Sequence, residues 1–187
     1  MCGIAGIASI SNRQRIDFEI LKKMTEQIVH RGPDDEGYLL FDVPAKRATA
    51  HCGKDTAAEV KDHIRECTED SPAQIGFGFR RLPTVELQET GHQPMLDEEL
   101  GLGIIFNGEI YNHMQLRAEL QSHGYNFFSH SDTEVIIKAY HFWGDECVHR
   151  LNGMWAFSIW EFAKNRLFMS RDRFGVKPFY FSRVGDM

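Results

Sequence analysis

Nothing in the 187-residue chain approaches the roughly 20-residue apolar run of a membrane helix. The apolar start at residues 1–10 also lacks the basic segment of a secretory leader; Arg13 and Arg15 follow it instead. These absences lead to the expectation of a cytoplasmic protein, where thiols stay reduced. Cysteines number only four, and Cys2, Cys52, Cys67 and Cys147 are too widely and unevenly spaced to suggest a disulfide framework. Positive charge is in deficit: 21 Lys and Arg against 27 Asp and Glu give a formal charge of -6. That balance argues against nonspecific binding to nucleic acid or acidic membranes. Neither GxGxxG nor GxxxxGK[ST] occurs, so the close glycines of GIAGIA and GFGF are read as tight turns and close sheet packing, not as a phosphate cradle. No repeat or low-complexity tract stands out.

What is present is an ordinary globular composition, 42% hydrophobic and 26% charged, of a length that suits one domain with a real core. Residues 2–10 read as a buried strand of small residues. Phe18, Leu21, Met24 and Ile28 recur at helical spacing between Asp17 and Val29. HRGPDDEG (30–37) is a polar turn cluster, and 38–43 is strand-like. Residues 44–74 are charged and poor in large apolar groups, and are expected to form a surface insertion. Within it a short helix is predicted over 56–67, with Thr56 and Glu59 as a capping box. Strands are expected at 74–82 and 100–112. ETGHQPM (89–95) between them reads as a turn. Helices should follow Asn112 and Ser131, each with a polar cap. Residues 154–162 and 166–172 read as a hairpin around AKN, and 178–183 as a further strand. The order points to an α+β protein of layered sheets flanked by helices. The abrupt end after a strand suggests a piece of something longer, or a stand-alone form of one module.

Several site chemistries can be weighed. His51, Cys52, His63 and Cys67 are chemically fit for zinc, but the adjacent His-Cys pair and the helical second half lack the usual ligand spacing, so no metal is expected. Cys2 is more informative. Loss of Met1 would leave a thiol and a free α-amine on one residue, with ordinary pKa values of about 8.5 and about 7.7–8.0. The amine can then take the thiol proton near neutrality and return it to a leaving group, so no histidine partner is required. Such attack needs donors for an oxyanion. Asn107 and Gly108, after a buried strand, can supply a side-chain amide and a backbone N–H, although an Asn-Gly pair is also a common turn. Arg81 could clamp a carboxylate and Asp132 could accept from an ammonium. Arg80 and Arg81 could equally be surface strand residues, and Asp132 a residue suited to a helix start.

MCGIAG, HRGPDDEG, RRLPTVE with GHQPM, IIFNGEIYNH, LRAEL, SDTEVI, LNGMWAFSIWE and RDRFGVKPFYF occur in order across nearly the whole chain. Together they resemble the class II glutamine amidotransferase domain, most closely that of glutamine-dependent asparagine synthetases. The resemblance implies a four-layer αββα Ntn-hydrolase sandwich with two antiparallel sheets. It implies Cys2 as mature N-terminus and nucleophile, Asn107 and Gly108 as the oxyanion hole, and Arg81 as the clamp for the glutamine α-carboxylate. Asp132 would hold the α-ammonium with help from the backbone near Glu109, and backbone groups at Thr84 and Val85 would hold the other side of the head group. Arg31, Gly32 and Pro33 would form the loop closing over the amide end. L-glutamine would be the substrate and an ammonia-accepting synthetase domain or subunit the partner, with a homodimer left open. No cofactor is implied for this domain; ATP and Mg belong to an expected synthetase domain whose SGG-type phosphate loop this chain lacks.

Two departures qualify the resemblance. PTVE (83–86) replaces the family's usual Ser-Ile-Ile-Asp or Ser-Ile-Val-Asp, which removes a hydroxyl and fixes φ at Pro83. The 44–74 segment is longer than usual. Alternatives are a module of the same fold serving another acceptor, an Ntn amidohydrolase for a different amide, and a non-catalytic regulatory or interaction module.

Overall fold

The computed structural model describes residues 2–61, 64–66, 72–82 and 91–187, with backbone alone for Arg65 and Glu66. Strand β1 (Gly3–Ala8) is followed by helix α1 (Phe18–Gln27), a short 3-10 turn at Val29–Arg31, and β2 (Asp35–Asp42). Then come β3 (Arg47–Cys52), the single turn α2 (Ala58–Lys61), β4 (Arg65–Glu66), β5 (Ile75–Arg81), β6 (Met95–Asp97) and β7 (Leu102–Ile110). Helices α3 (His113–Ser122), α4 (Asp132–Trp143) and the short α5 (Cys147–Arg150) precede the hairpin β8 (Gly153–Glu161) and β9 (Arg166–Arg171). One sheet runs β1-β5-β2-β3-β4 and the other β6-β7-β8-β9. All pairings are antiparallel except the two-residue edge of β4 on β3.

Alternation along the strands sorts the side chains into layers. Leu39, Phe41, Ile75, Phe77 and Phe79 of the first sheet meet Ile105 and Trp160 of the second, forming the core between the sheets. The opposite face of the first sheet, with Tyr38 and Leu40, packs on Phe18 and Leu21 of α1. Ile104, Phe106 and Ile110 of β7 turn away from the first sheet, toward Leu116 and Leu120 of α3 and Val135, Ile136 and Ala139 of α4. The layers therefore run helix, sheet, sheet, helix, as the resemblance implies.

Local chemistry explains most element ends. Asp17 caps α1 by accepting from the backbone N–H groups of Glu19 and Ile20. Ser131 caps α4 through Thr133 N–H. The glycines of GFGF do permit close packing: a Cβ at Gly78 would lie 2.2 Å from Thr25 Oγ1, and one at Gly76 2.6 Å from Ile16 Cδ1. Helix α1 thus sits directly on β5. Thr25 occupies that contact in place of the expected Met24, which faces solvent. Asn112 precedes α3 but does not cap it, because its side chain bridges Arg150 O and Asn152 N–H instead. Thr56 is likewise diverted, donating to Glu36 O and accepting from Gly53 N–H. Of the helix expected over 56–67 only the single turn Ala58–Lys61 forms among the described residues, and Arg65–Glu66 pair instead as β4; with β3 they widen the first sheet. Residues 178–183, expected as a strand, are irregular, with Tyr180 and Phe181 exposed.

Arg80 is not a surface residue. It is completely buried on the α1 side of β5, 3.0 Å from Glu36 and 2.8 Å from Asp55. Glu36 also accepts from Asp55 N–H, and a Cβ at Gly53 would fall 1.9 Å from its Oε1, so the neighbouring loop closes tightly over the pair. Breaking such a pair from one side leaves an uncompensated buried charge. Arg80→Met should therefore destabilise the domain by about 3–5 kcal/mol in urea denaturation, while the double variant Arg80→Met/Glu36→Leu should recover most of that loss.

Candidate active site

The site can be built from register. On β1, Cys2, Ile4 and Ala8 join the core between the sheets, while Ala5 and Ile7 face α1. On β5, Ile75, Phe77 and Phe79 face between the sheets, so Arg81, two residues on, points to that side and Arg80 to the other. Gly3 pairs with Arg80, and one further step sets Cys2 beside Arg81. On β7, Ile105 faces between the sheets and Asn107 follows on the same face, with only 3% of its surface exposed.

The two sheets are aligned so that these residues share one end. A Cβ at Gly103 of β7 would meet Phe41 and Leu39 of β2. Further along, Phe106 N–H donates to Gln93 Oε1, and the backbone oxygen of Gln93 lies 2.3 Å from where a Cβ of Gly37 would be. The far end of β7 therefore lies over the start of β2, and that start pairs with the Arg81 end of β5. Strands β1 and β7 are in contact across the core.

Cys2 is half-buried, its thiol 3.9 Å from Leu82 O, and its carbonyl accepts from Arg31 Nε at 3.2 Å. Arg31 ends the 3-10 turn, and Gly32 after it packs on β5 so closely that a Cβ would lie 2.5 Å from the Arg80 carbonyl carbon. Nη2 of Arg31 is buried with no hydrogen-bond partner among the described residues. Pro33 is exposed beyond it. Thr84 and Val85 lie outside the described residues, as do Pro83, His63 and Cys67.

Asn107-Gly108 is not a turn. Both residues lie inside β7, paired with Ala156 and Trp155 of β8. Gly108 is required there, because a Cβ would fall 2.2 Å from Met154 O. The edge of β7 opposite β8 is covered by β6 only as far as Ile104. Beyond that point Phe106 N–H donates to Gln93 Oε1 at 2.7 Å, and Ile110 N–H to Asp132 Oδ2 at 3.0 Å. Alternate N–H groups of a strand point the same way, so Gly108 N–H faces the gap between these two side chains. A donor so placed beside the Asn107 amide suits an oxyanion.

Asp132 begins α4 next to the end of β7. Burial pushes its carboxyl above the ordinary carboxylate range, opposed by the Ile110 N–H and by His113, while Glu109 adds to the rise. Glu109 itself is exposed at the rim. A separate cavity of about 430 Å³ lies against Asp97, Phe127 and Lys138; its lining includes neither Cys2 nor Asn107. Three residues with no assigned role in the sequence reading also converge here: Asp35, His92 and Gln93. Their signal was the density of polar residues in HRGPDDEG and GHQPM, which read only as turns.

The family model described as "Glutamine amidotransferase domain" matches residues 1–53 and 46–187. Asparagine synthetase [glutamine-hydrolyzing] 1 of Bacillus subtilis is 35% identical over 192 residues, covering 100% of this chain and 25% of that protein. A putative asparagine synthetase [glutamine-hydrolyzing] 2 of Methanocaldococcus jannaschii is 36% identical, covering 97% and 32%. The chain thus spans about a quarter to a third of the length of these relatives. Among solved structures, the glutamine phosphoribosylpyrophosphate amidotransferase of B. subtilis superposes with a TM-score of 0.77 at 22% identity, over 100% of this chain and 40% of that one. By sequence and by fold, the chain belongs to the class II glutamine amidotransferase domains related to glutamine-hydrolysing asparagine synthetases.

Proposed function

We propose that this domain hydrolyses the γ-amide of L-glutamine to glutamate and ammonia, with Cys2 as nucleophile. The observation that carries the reading is the convergence of Cys2, Arg81 and Asn107 on facing strands, with Gly108 N–H turned into the gap past β6. Removal of Met1 would free the Cys2 α-amine. That amine takes the thiol proton as Sγ attacks the γ-carbonyl carbon. The resulting oxyanion is held by the Asn107 side-chain amide and Gly108 N–H. Collapse of the adduct breaks the C–N bond, the ammonium of Cys2 returns the proton to the leaving nitrogen, and ammonia departs. Water then attacks the γ-glutamyl thioester, with the same amine as base, releasing glutamate and the thiol. Thiol, amine and water complete the balance, so the hydrolysis calls on no metal or cofactor.

Arg81 would clamp the α-carboxylate bidentately and Asp132 the α-ammonium near the Glu109 backbone. Thr84 and Val85 would hold the remaining side of the head group, and Arg31 to Pro33 would close over the amide end. The asparagine synthetases among the relatives support aspartate as the final acceptor of ammonia, in a synthetase domain or subunit that would supply the ATP and Mg chemistry.

Two sets of measurements test this. Cys2→Ala should abolish ammonia release from glutamine, and substantial residual turnover would sink the mechanism. Asn107→Ala should lower kcat by roughly 10²–10³-fold, as for other single oxyanion donors. Intact mass should show Met1 absent in the active protein.

Asp132→Asn should instead raise KM for glutamine by about 10-fold or more, the usual worth of a hydrogen bond to a charged group. In the parent protein KM should climb as pH falls through the raised Asp132 pKa, while the variant's high KM should stay flat. Stability moves the other way. A folded carboxyl with a raised pKa holds its proton more tightly than the unfolded chain does, so its contribution to stability diminishes as pH rises from the ordinary value through the raised one. The Tm of Asp132→Asn relative to the parent should therefore increase across that window, as read by thermal melts.

A further inference from the structure

The turn before β6 makes a set of contacts that its sequence does not advertise. Pairing of Met95 with Ile104 and Leu96 with Gly103, extended two residues, sets Gln93 opposite Phe106. The backbone ladder does not continue that far. The Gln93 side chain takes its place, with Oε1 accepting from Phe106 N–H at 2.7 Å. The Gln93 backbone oxygen is turned instead onto Gly37 of β2. Nε2 of the same side chain donates to Thr133 Oγ1 at 3.3 Å. One buried amide thus joins the middle of β7 to the first turn of α4.

Each partner is adjacent in the chain to a residue of the proposed glutamine site. Phe106 precedes Asn107, and Thr133 follows Asp132. The preceding residue extends the pattern to the other sheet. His92 Nδ1 lies 2.9 Å from Asp35 Oδ2. Asp35 is fully buried, its other oxygen accepts from Ala57 N–H, and its cross-strand partner on β5 is Arg81. His92 also packs over Gly37, where a Cβ would come within 2.5 Å of its Nε2.

We infer that His92-Gln93 is a positioning pair for the glutaminase reaction, fixing the strand that carries Arg81 against the strand and helix that carry Asn107, Gly108 and Asp132. The need for it is geometric. Arg81 and Asp132 fix the head of the substrate, while Asn107 and Gly108 act some four bonds away at the γ-carbonyl. Arg81 sits on one sheet, while Asn107 and Gly108 sit on the other and Asp132 on the helix beside it, and the apolar contacts between the sheets are not directional. Hydrogen bonds with defined lengths and angles supply what apolar packing cannot. The grip on β7 is also local to the oxyanion donor. Gln93 holds the N–H on one side of Gly108, Asp132 holds the N–H on the other, and between them they aim the Gly108 N–H. The pair touches neither nucleophile nor reacting carbon, so it positions and does not itself catalyse.

The inference rests on the glutaminase reading, and the test separates the two. Gln93→Leu keeps the volume and removes both bonds. It should lower kcat/KM for glutamine by about 10²-fold, the scale expected for a misplacement near 1 Å. Labelling of Cys2 by a glutamine analogue with an electrophilic side chain should slow to a similar extent, while alkylation by iodoacetamide should keep the parent rate. Thr133→Val cuts only the α4 arm and should raise KM more than it lowers kcat; Thr133→Ser, which restores the hydroxyl, should return KM to the parent value. A parent protein that releases no ammonia from glutamine would overturn the glutaminase reading and this one with it. An active parent with Gln93→Leu unchanged in KM and kcat would overturn the positioning role alone. If Gln93→Leu fails to fold, the Thr133 pair decides: equal KM for Thr133→Val and Thr133→Ser overturns the inference.

Discussion

Strand β7 is asked to satisfy three different surroundings at once, and the rest of the site depends on how it does so. One face carries Ile104, Phe106 and Ile110 into the helical layer. The other carries Ile105 and then Asn107 between the sheets. Its edge is paired by β6 for three residues and then left to side chains. A strand with two buried faces normally has no place for a functional amide. Here the strand outruns its neighbour, so polar donors appear at the margin of an apolar core without unpaired burial deep within it. Gly108 is held to glycine by β8 on one side, and among the described residues its N–H has no ladder partner on the other.

The adjacent arginines of β5 show the same alternation used for opposite purposes. Arg80 points toward α1 and is fully neutralised by Glu36 and Asp55. Arg81 points between the sheets at the rim. A shift of one residue in register would exchange them, placing the proposed substrate clamp in a closed ion-pair network and the structural arginine between the sheets. The close approach of α1 at Gly76 and Gly78 guards against that slip, because any other residue on that face would collide with Leu21 or Thr25. Packing of the outer helix thereby sets the orientation of a residue on the inner face.

These relations also explain what could be read in the sequence. Strands β7 and β8, the hairpin to β9 and helix α4 carry strong apolar patterns, so they were legible from residue type alone. β3 was not: Arg47, Thr49 and Ala50 carry little hydrophobic signal, and pairing with β2 makes them a strand. The aromatic segment 178–183 failed in the opposite direction, for it has strand-like residues but no strand beside it among the described residues. The candidate site residues came mostly from ordered motif resemblance, since Asn107-Gly108 by composition reads as a turn. The links through Asp35, His92 and Gln93 were invisible for a deeper reason. Their meaning lies in which backbone N–H is left bare when β6 stops, and that depends on register between distant segments.

The proposed nucleophile, Cys2 as the terminal residue left by loss of Met1, raises one more physical demand. Chain ends fray because ordering a residue costs about 1–2 kcal/mol of backbone entropy and few contacts oppose it. Cys2 precedes the first paired residue of β1 and so cannot rely on the ladder alone. Arg31 meets the demand from outside, donating to the Cys2 carbonyl, while Gly32 seats the same loop directly on the β5 backbone. The hold is on the carbonyl, which takes no part in the proposed hydrolysis, and leaves the thiol and the α-amine open to the proposed substrate. That division accounts for why a loop so rich in polar residues packs against so small a strand: it orders Cys2 without occupying the groups that the proposed reaction uses.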